Sequence, residues 1–230
     1  MYSALSIPFE NPNGSNLSLN DIKFVNAKAN AKKTLADQIL LWVWKEDAQK
    51  FDYETWFLKS ATDGWFNYDT TSIGFDDPEG HPDGLLPGTT FWYYAKAKDS
   101  VMTMQTSGQV VSENVIWTMT RNSYNFVGCP FPTALKLNDS TQVDWGAAKA
   151  NNKKTLADQI MLWVDVGDTE QGYGYKTYYL STTGWKNYDT GVTFQEDYPN
   201  GVDVGTGFWY NAKSSTTDTF EVTFKTPVAK

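Results

Sequence analysis

The sequence is poor in the residues that most enzymes rely on. Among its 230 residues there is one cysteine, Cys129, and one histidine, His81. A lone cysteine excludes an internal disulfide framework. A lone histidine leaves no Ser-His-Asp or Cys-His set except through His81 itself. Neither G-x-S-x-G nor a phosphate-binding Gly-Lys loop occurs. Arg121 is the only arginine, and the formal net charge is -8. A chain this acidic does not neutralise phosphates, which argues against a nucleic-acid partner. No apolar run approaches about 18 residues, so no membrane-spanning helix is encoded. The opening MYSALSIPFE has neither the basic region nor the apolar core of a signal peptide, and it starts inside a strand-like pattern. It reads as the start of a mature or trimmed chain. What is abundant is aromatic: Phe, Trp and Tyr make up 16% of the chain, within a hydrophobic share of 40%. That is enough apolar surface for one large core or two small ones, and too much for a disordered chain.

The dominant feature is an internal duplication. KKTLADQILLWV (Lys32–Val43) returns as KKTLADQIMLWV (Lys153–Val164). Upstream, NAKANA from Asn26 faces AAKANN from Ala147; downstream, GWFNYDT from Gly64 matches GWKNYDT from Gly184. PGTTFWYYAK from Pro87 matches VGTGFWYNAK from Val204, and YSALSIPF from Tyr2 pairs with YNFVGCPF from Tyr124. A solenoid unit has a period of roughly 20–50 residues, so a repeat more than twice as long is a whole small domain used twice. Residues 1–112 and 113–230 are the expected domains.

Each copy reads as mostly β. Segments such as Tyr53–Leu58, Ser100–Val111 and Asp218–Val228 alternate with period two, and QILLWVW is a buried central strand. Asn-Gly, Asp-Gly, Pro-Gly and Ser-Gly pairs supply turns. The expected fold is all-β: two tandem antiparallel β-sandwich domains, jelly-roll or Ig-like, each with one short helix in the NAKANAKKTLAD stretch or its partner. One asymmetry stands out. VIWTMT (Val115–Thr120) is a good strand ahead of copy two, and nothing like it precedes Tyr2. Either VIWTMT is a linker strand belonging to one domain only, or copy one lacks an edge strand, and an open edge of that kind invites pairing with another chain.

The motifs at Ile7-Pro8-Phe9 and Cys129-Pro130-Phe131, the LADQI strands, the GW segments, and Gly205-Thr-Gly-Phe-Trp-Tyr210 resemble a diffuse group of secreted bacterial surface proteins built of tandem β-modules. Gly88-Thr-Thr-Phe-Trp-Tyr93 departs from the last motif at Thr90. The resemblance implies secretion and a structural or adhesive role. Composition points the same way: the chain is rich in Thr, Asn, Tyr and Trp, with almost no Arg or His.

Candidate sites follow from these patterns. Trp65 with Tyr68, and Trp185 with Tyr188, sit in expected loops, where a flat ring can stack on a pyranose; they are the carbohydrate candidates. Asp76, Asp77, Glu79 and Asp83 share a Gly-containing loop that could hold Ca²⁺, although the spacing is not that of a helix–loop–helix calcium site. No other cofactor is implied. Asp37 with Asp158, and Asp69 with Asp189, are kept in both copies. Duplication argues that they serve folding, the latter two as Asx turns, rather than a glycosidase pair. His81 has no counterpart in copy two, and Cys129 stands where copy one has Ile7. The expected function is a non-enzymatic extracellular or cell-surface structural protein. It would form a homo-oligomer or polymer (fibre, pilus-like filament or surface layer) through edge strands. The expected contacts are Tyr2, Leu5 and Ile7, then Val115, Trp117 and Met119, and Phe220, Val222 and Phe224. The alternative is a carbohydrate-binding surface protein with a glycan partner.

Overall fold

A computed structural model describes residues 2–96, 102–167, 172–214 and 218–228. The chain divides into two compact units, Met1–Gln109 and Val110–Lys230. Ser100 and Val101, the start of one expected strand, lie outside the described residues.

Unit 1 contains β1 (Tyr2–Ser6), β2 (Lys23–Val25), β3 (Gln38–Lys45), β4 (Lys50–Ser60), β5 (Gly64–Asn67), β6 (Thr90–Tyr94) and β7 (Thr103–Gln105). One antiparallel sheet runs in the order β1-β6-β3-β4-β5, and a second pairs β2 with β7. Unit 2 contains β8 (Val115–Thr120), β9 (Ser123–Gly128), β10 (Val143–Asp144), β11 (Gln159–Asp165), β12 (Tyr173–Ser181), β13 (Gly184–Asn187), the helical turn α1 (Phe194–Asp197), β14 (Gly207–Ala212) and β15 (Thr219–Phe224). Its large sheet, β9-β14-β11-β12-β13, repeats that of unit 1 strand for strand. Its small sheet is β10-β15-β8, one strand wider than its counterpart.

The fold is all-β, as the period-two patterning demands. In β3 the side chains of Ile39, Leu41 and Val43 face the core, and Leu40, Trp42 and Trp44 face the other way. In the FWY segments Phe91 and Tyr93, and Phe208 and Tyr210, point inward, with Trp92 and Trp209 on the opposite face. Each core is sealed between its large and small sheet. In unit 2, Val127, Ile160, Leu162 and Tyr178 of the large sheet meet Met119, Val143, Phe220, Val222 and Phe224 of the small one. Among the described residues no helix is long and apolar enough to cross a membrane.

The expected helix in the Ala/Lys stretch does not form. Lys33–Leu35 makes a single 3-10 turn, and the α-helical turn of unit 2 lies elsewhere, at Phe194–Asp197. The reason is that the main chain of this stretch is bonded outward. Lys28 and Asp37 exchange hydrogen bonds, and Asn30 N–H donates to the Leu58 carbonyl at 3.0 Å. Lys149, Asp158, Asn151 and Leu180 do the same in unit 2. A helix would have to take those donors back.

Candidate functional site

The aspartates kept in both copies form the same buried staple. Asp37 is fully buried; its Oδ2 accepts the Lys28 N–H at 2.8 Å and the Tyr93 hydroxyl at 2.6 Å, and its Oδ1 accepts the Lys96 N–H at 2.6 Å. Asp158 accepts Lys149 N–H at 2.8 Å, the Tyr210 hydroxyl at 2.7 Å and Lys213 N–H at 2.6 Å. Through their own backbones both also reach Leu58 or Leu180 on the neighbouring strand. One carboxylate therefore ties a loop, the strand after it and the end of the FWY strand together. Burial and the facing carboxylate raise the Tyr93 and Tyr210 phenols above their usual range. These groups stay protonated and donating. The Asx turns, in contrast, are made not by Asp69 and Asp189 but by Asn67 and Asn187. Their Oδ1 atoms accept Asp69 N–H and Asp189 N–H, both at 2.9 Å, and the following threonine N–H as well.

The tryptophans expected as loop sugar platforms are core. Trp65 is 2% exposed and Trp185 1%. Each is the second residue of the short strand after a turn, and its ring joins the core. Trp65 meets Phe24 at 5.4 Å, and Trp185 meets Trp145 at 5.0 Å. Tyr68 and Tyr188 are half-buried and capped by lysines, with Lys33 Nζ 4.3 Å above one ring and Lys154 Nζ 4.2 Å above the other. Those ammonium groups are fixed by the Tyr68 and Tyr188 carbonyls. The four residues make no open platform.

The acidic loop carboxylates are exposed, and two of them serve the loop itself. Asp76 accepts the Ser18 hydroxyl and, at 2.7 Å, Asn20 Nδ2; Asp77 accepts Gly74 N–H at 2.5 Å. Asp83 offers its backbone carbonyl to Asn16, and Glu79 is exposed. Among the described residues no group of three or more His, Cys, Asp or Glu is placed to hold a metal ion. His81 belongs to a different cluster. Its Nε2 lies 2.8 Å from Glu54, which also takes Lys45 Nζ at 2.6 Å and Trp56 Nε1 at 2.9 Å. Burial raises the Glu54 carboxyl, but the bonds from His81 and Lys45 outweigh it and bring it to about 2. In unit 2 the charges are exchanged: Lys176 holds the matching place on β12 and pairs with Asp197 at 2.6 Å.

Most of the expected subunit contacts are interior. Ile7, Met119, Val222 and Phe224 are fully buried and Phe220 is 7% exposed. Leu5, Val115 and Trp117 pack against the two cores. Tyr2 alone stands well exposed, on the outer face of β1, stacked on Tyr94 at 4.4 Å. The C-terminal strand and VIWTMT pair with each other, β15 to β8, because both present apolar residues at alternate positions to the same core.

The small sheets nevertheless differ. In unit 2, β8 closes one side of β15; in unit 1, no described strand occupies the corresponding side of β7. The large sheets carry a second repeated feature. Trp42 stands directly opposite Tyr53, rings 4.9 Å apart, with Phe51 stacked 6.0 Å away. Trp163 and Tyr175 lie at 4.9 Å with Tyr173 at 6.3 Å. Both triads are on the face turned away from the core, and Tyr53 and Tyr175 are 39% and 47% exposed. Sequence reading passed over these rings, although outward alternation in QILLWVW and in the following strand was the available signal. No family model, curated protein or solved structure matches the chain.

Proposed function

We propose that this chain is a non-enzymatic structural protein of the cell exterior that assembles with copies of itself through uncovered sheet edges. The observation that carries the reading is the missing strand. The same sandwich is built twice, and among the described residues the small sheet has three strands in one copy and two in the other. A strand edge is a row of main-chain donors and acceptors, and pairing with another chain satisfies them. Neither β7 nor β8 carries a lysine or a proline, two of the residues that blunt such an edge. Sedimentation velocity over a range of concentrations, with negative-stain microscopy of concentrated protein, tests it. Growing oligomers, fibres or sheets are expected; a monodisperse monomer at millimolar concentration refutes it.

A second reading rests on the outward-facing, half-exposed triads Trp42/Tyr53/Phe51 and Trp163/Tyr175/Tyr173. Both copies keep these rings in the same geometry. Flat aromatic faces suit neutral hexose chains, so this reading makes the large sheets polysaccharide platforms. Affinity electrophoresis through gels of neutral polysaccharide, with Trp42→Ala and Trp163→Ala together, tests it. Retardation that the double variant abolishes is expected; unretarded wild-type protein across the gels refutes it.

A further inference from the structure

We infer that the uncovered side of β7 is filled by the β8 edge of a second copy, so that chains join head to tail. This rests on the assembly reading above and names its joint. The argument starts from which main-chain groups point outward. In an antiparallel ladder alternate residues bond to the partner and the others bond away from it. Arg121 N–H donates to the Asp218 carbonyl, one step along the β8–β15 register, so Val115, Trp117 and Met119 bond to β15. Ile116, Thr118 and Thr120 then direct their groups to the outer edge. The Asn125 side chain takes both backbone groups of Thr120, at 2.8 and 3.0 Å. Ile116 and Thr118 remain, with no recorded partner among the described residues.

The other half of the joint is Met104. Its register partner on β2 is Phe24, whose carbonyl accepts Ala27 N–H at the turn that follows. In unit 2, Lys225 N–H donates to the Gln142 carbonyl, so Thr223 bonds to β10 and Val222 bonds to β8; by the same parity Phe24 and Met104 are a non-bonded pair, and the Met104 N–H and carbonyl face the open side. Unit 2 supplies the precedent. Phe24 stacks on Tyr93 as Trp145 stacks on Tyr210, which sets Met104 in the place of Val222. Val222 is paired with β8. The slot that β8 closes in one copy is the slot that stands open in the other.

Side chains agree with the pairing. Val115, Trp117 and Met119 are spent on the core of unit 2, whereas Ile116 projects from the opposite face and is 56% exposed. An antiparallel pairing that sets Ile116 opposite Met104 turns that isoleucine onto the same face as Met102 and Met104, beside the core of unit 1. The two cores then lie on opposite faces of the extended sheet and do not collide. The joined surfaces are different, so each chain keeps one free donor edge and one free acceptor slot; repetition without closure gives a filament.

Two half-blocked variants test the joint. Thr118→Pro removes an outward N–H from β8 without touching the β15 ladder, and Met104→Pro does the same to β7. Each full-length variant alone is expected to sediment as a monomer where wild type assembles. Mixed, they should form 1:1 heterodimers and nothing larger, because one retains only the slot and the other only the edge. Ile116→Lys serves as a second donor block should Thr118→Pro unfold, which far-UV circular dichroism reports. If either folded variant alone still polymerises like wild type, this joint is wrong and the assembly reading survives. If folded variants are each monomeric but never combine, the head-to-tail pairing is wrong. If wild type itself stays monomeric, both fall.

Discussion

Replacing Asp37 in unit 1 or Asp158 in unit 2 is expected to be among the most damaging single changes in either unit. Asp37→Ala strands three donors, the N–H groups of Lys28 and Lys96 and the Tyr93 hydroxyl, in a site with 1% exposure. A hydrogen bond to a charged group contributes about 1.5–3 kcal/mol, and a donor left buried and unpaired costs about 1–3 kcal/mol. With some relaxation and water entry, the loss should be about 3–6 kcal/mol, a large part of the roughly 5–15 kcal/mol that holds a domain together. Asp37→Asn is the sharper probe. Its remaining oxygen can keep Lys28 N–H and the Tyr93 hydroxyl, but its amide NH₂ then faces Lys96 N–H, donor against donor. That should cost about 2–3 kcal/mol, and Tyr93→Phe only about 1–2. Guanidinium unfolding followed by tryptophan fluorescence measures these values, with Asp158→Asn as the internal replicate. An Asp37→Asn variant within about 1 kcal/mol of wild type would refute the view that this carboxylate is the staple both copies kept.

Other outcomes follow from the same geometry. Trp185→Ala should cost about 3–5 kcal/mol by cavity formation, read by the same unfolding assay, without changing retardation in a polysaccharide gel. Acid should weaken unit 1 through Glu54. Its carboxyl falls from 4.5 to about 2 on folding, so the pair's stabilisation is complete above about pH 4.5 and is lost as pH falls towards 2. The loss is about 3 kcal/mol at most, and Glu54→Gln should flatten that part of a stability–pH curve. Burial pushes the Cys129 thiol up to about 11. Native protein at pH 8 should leave an aromatic disulfide reagent unreacted, and denatured protein should consume one equivalent.

Period-two alternation was enough to give an all-β chain, because a pleated strand with one buried face admits no other pattern. The duplication told which residues recur, and Asp37 with Asp158 were legible as folding residues for that reason alone. The same alternation sets Phe91 and Tyr93 on one face and Trp92 on the other. Local sequence could not say which face was core at a turn. GWFNYDT and GWKNYDT look like loops carrying exposed rings, yet each Trp is the second residue of a four-residue strand and points inward. Nor could it weigh helix propensity in the Ala/Lys stretch against bonds to Leu58 and Leu180, which lie about 30 residues away in sequence.

The edge asymmetry divides along the same line. Sequence alone determined that VIWTMT is a strand present once, and left two places for it: a linker strand of one domain, or an edge strand that copy one lacks. Only tertiary structure decided that its apolar face closes the core of unit 2 beside β15, removing Val115, Trp117 and Met119 from any interface. Which main-chain groups stay open is a matter of ladder parity, fixed by a register that no single strand contains.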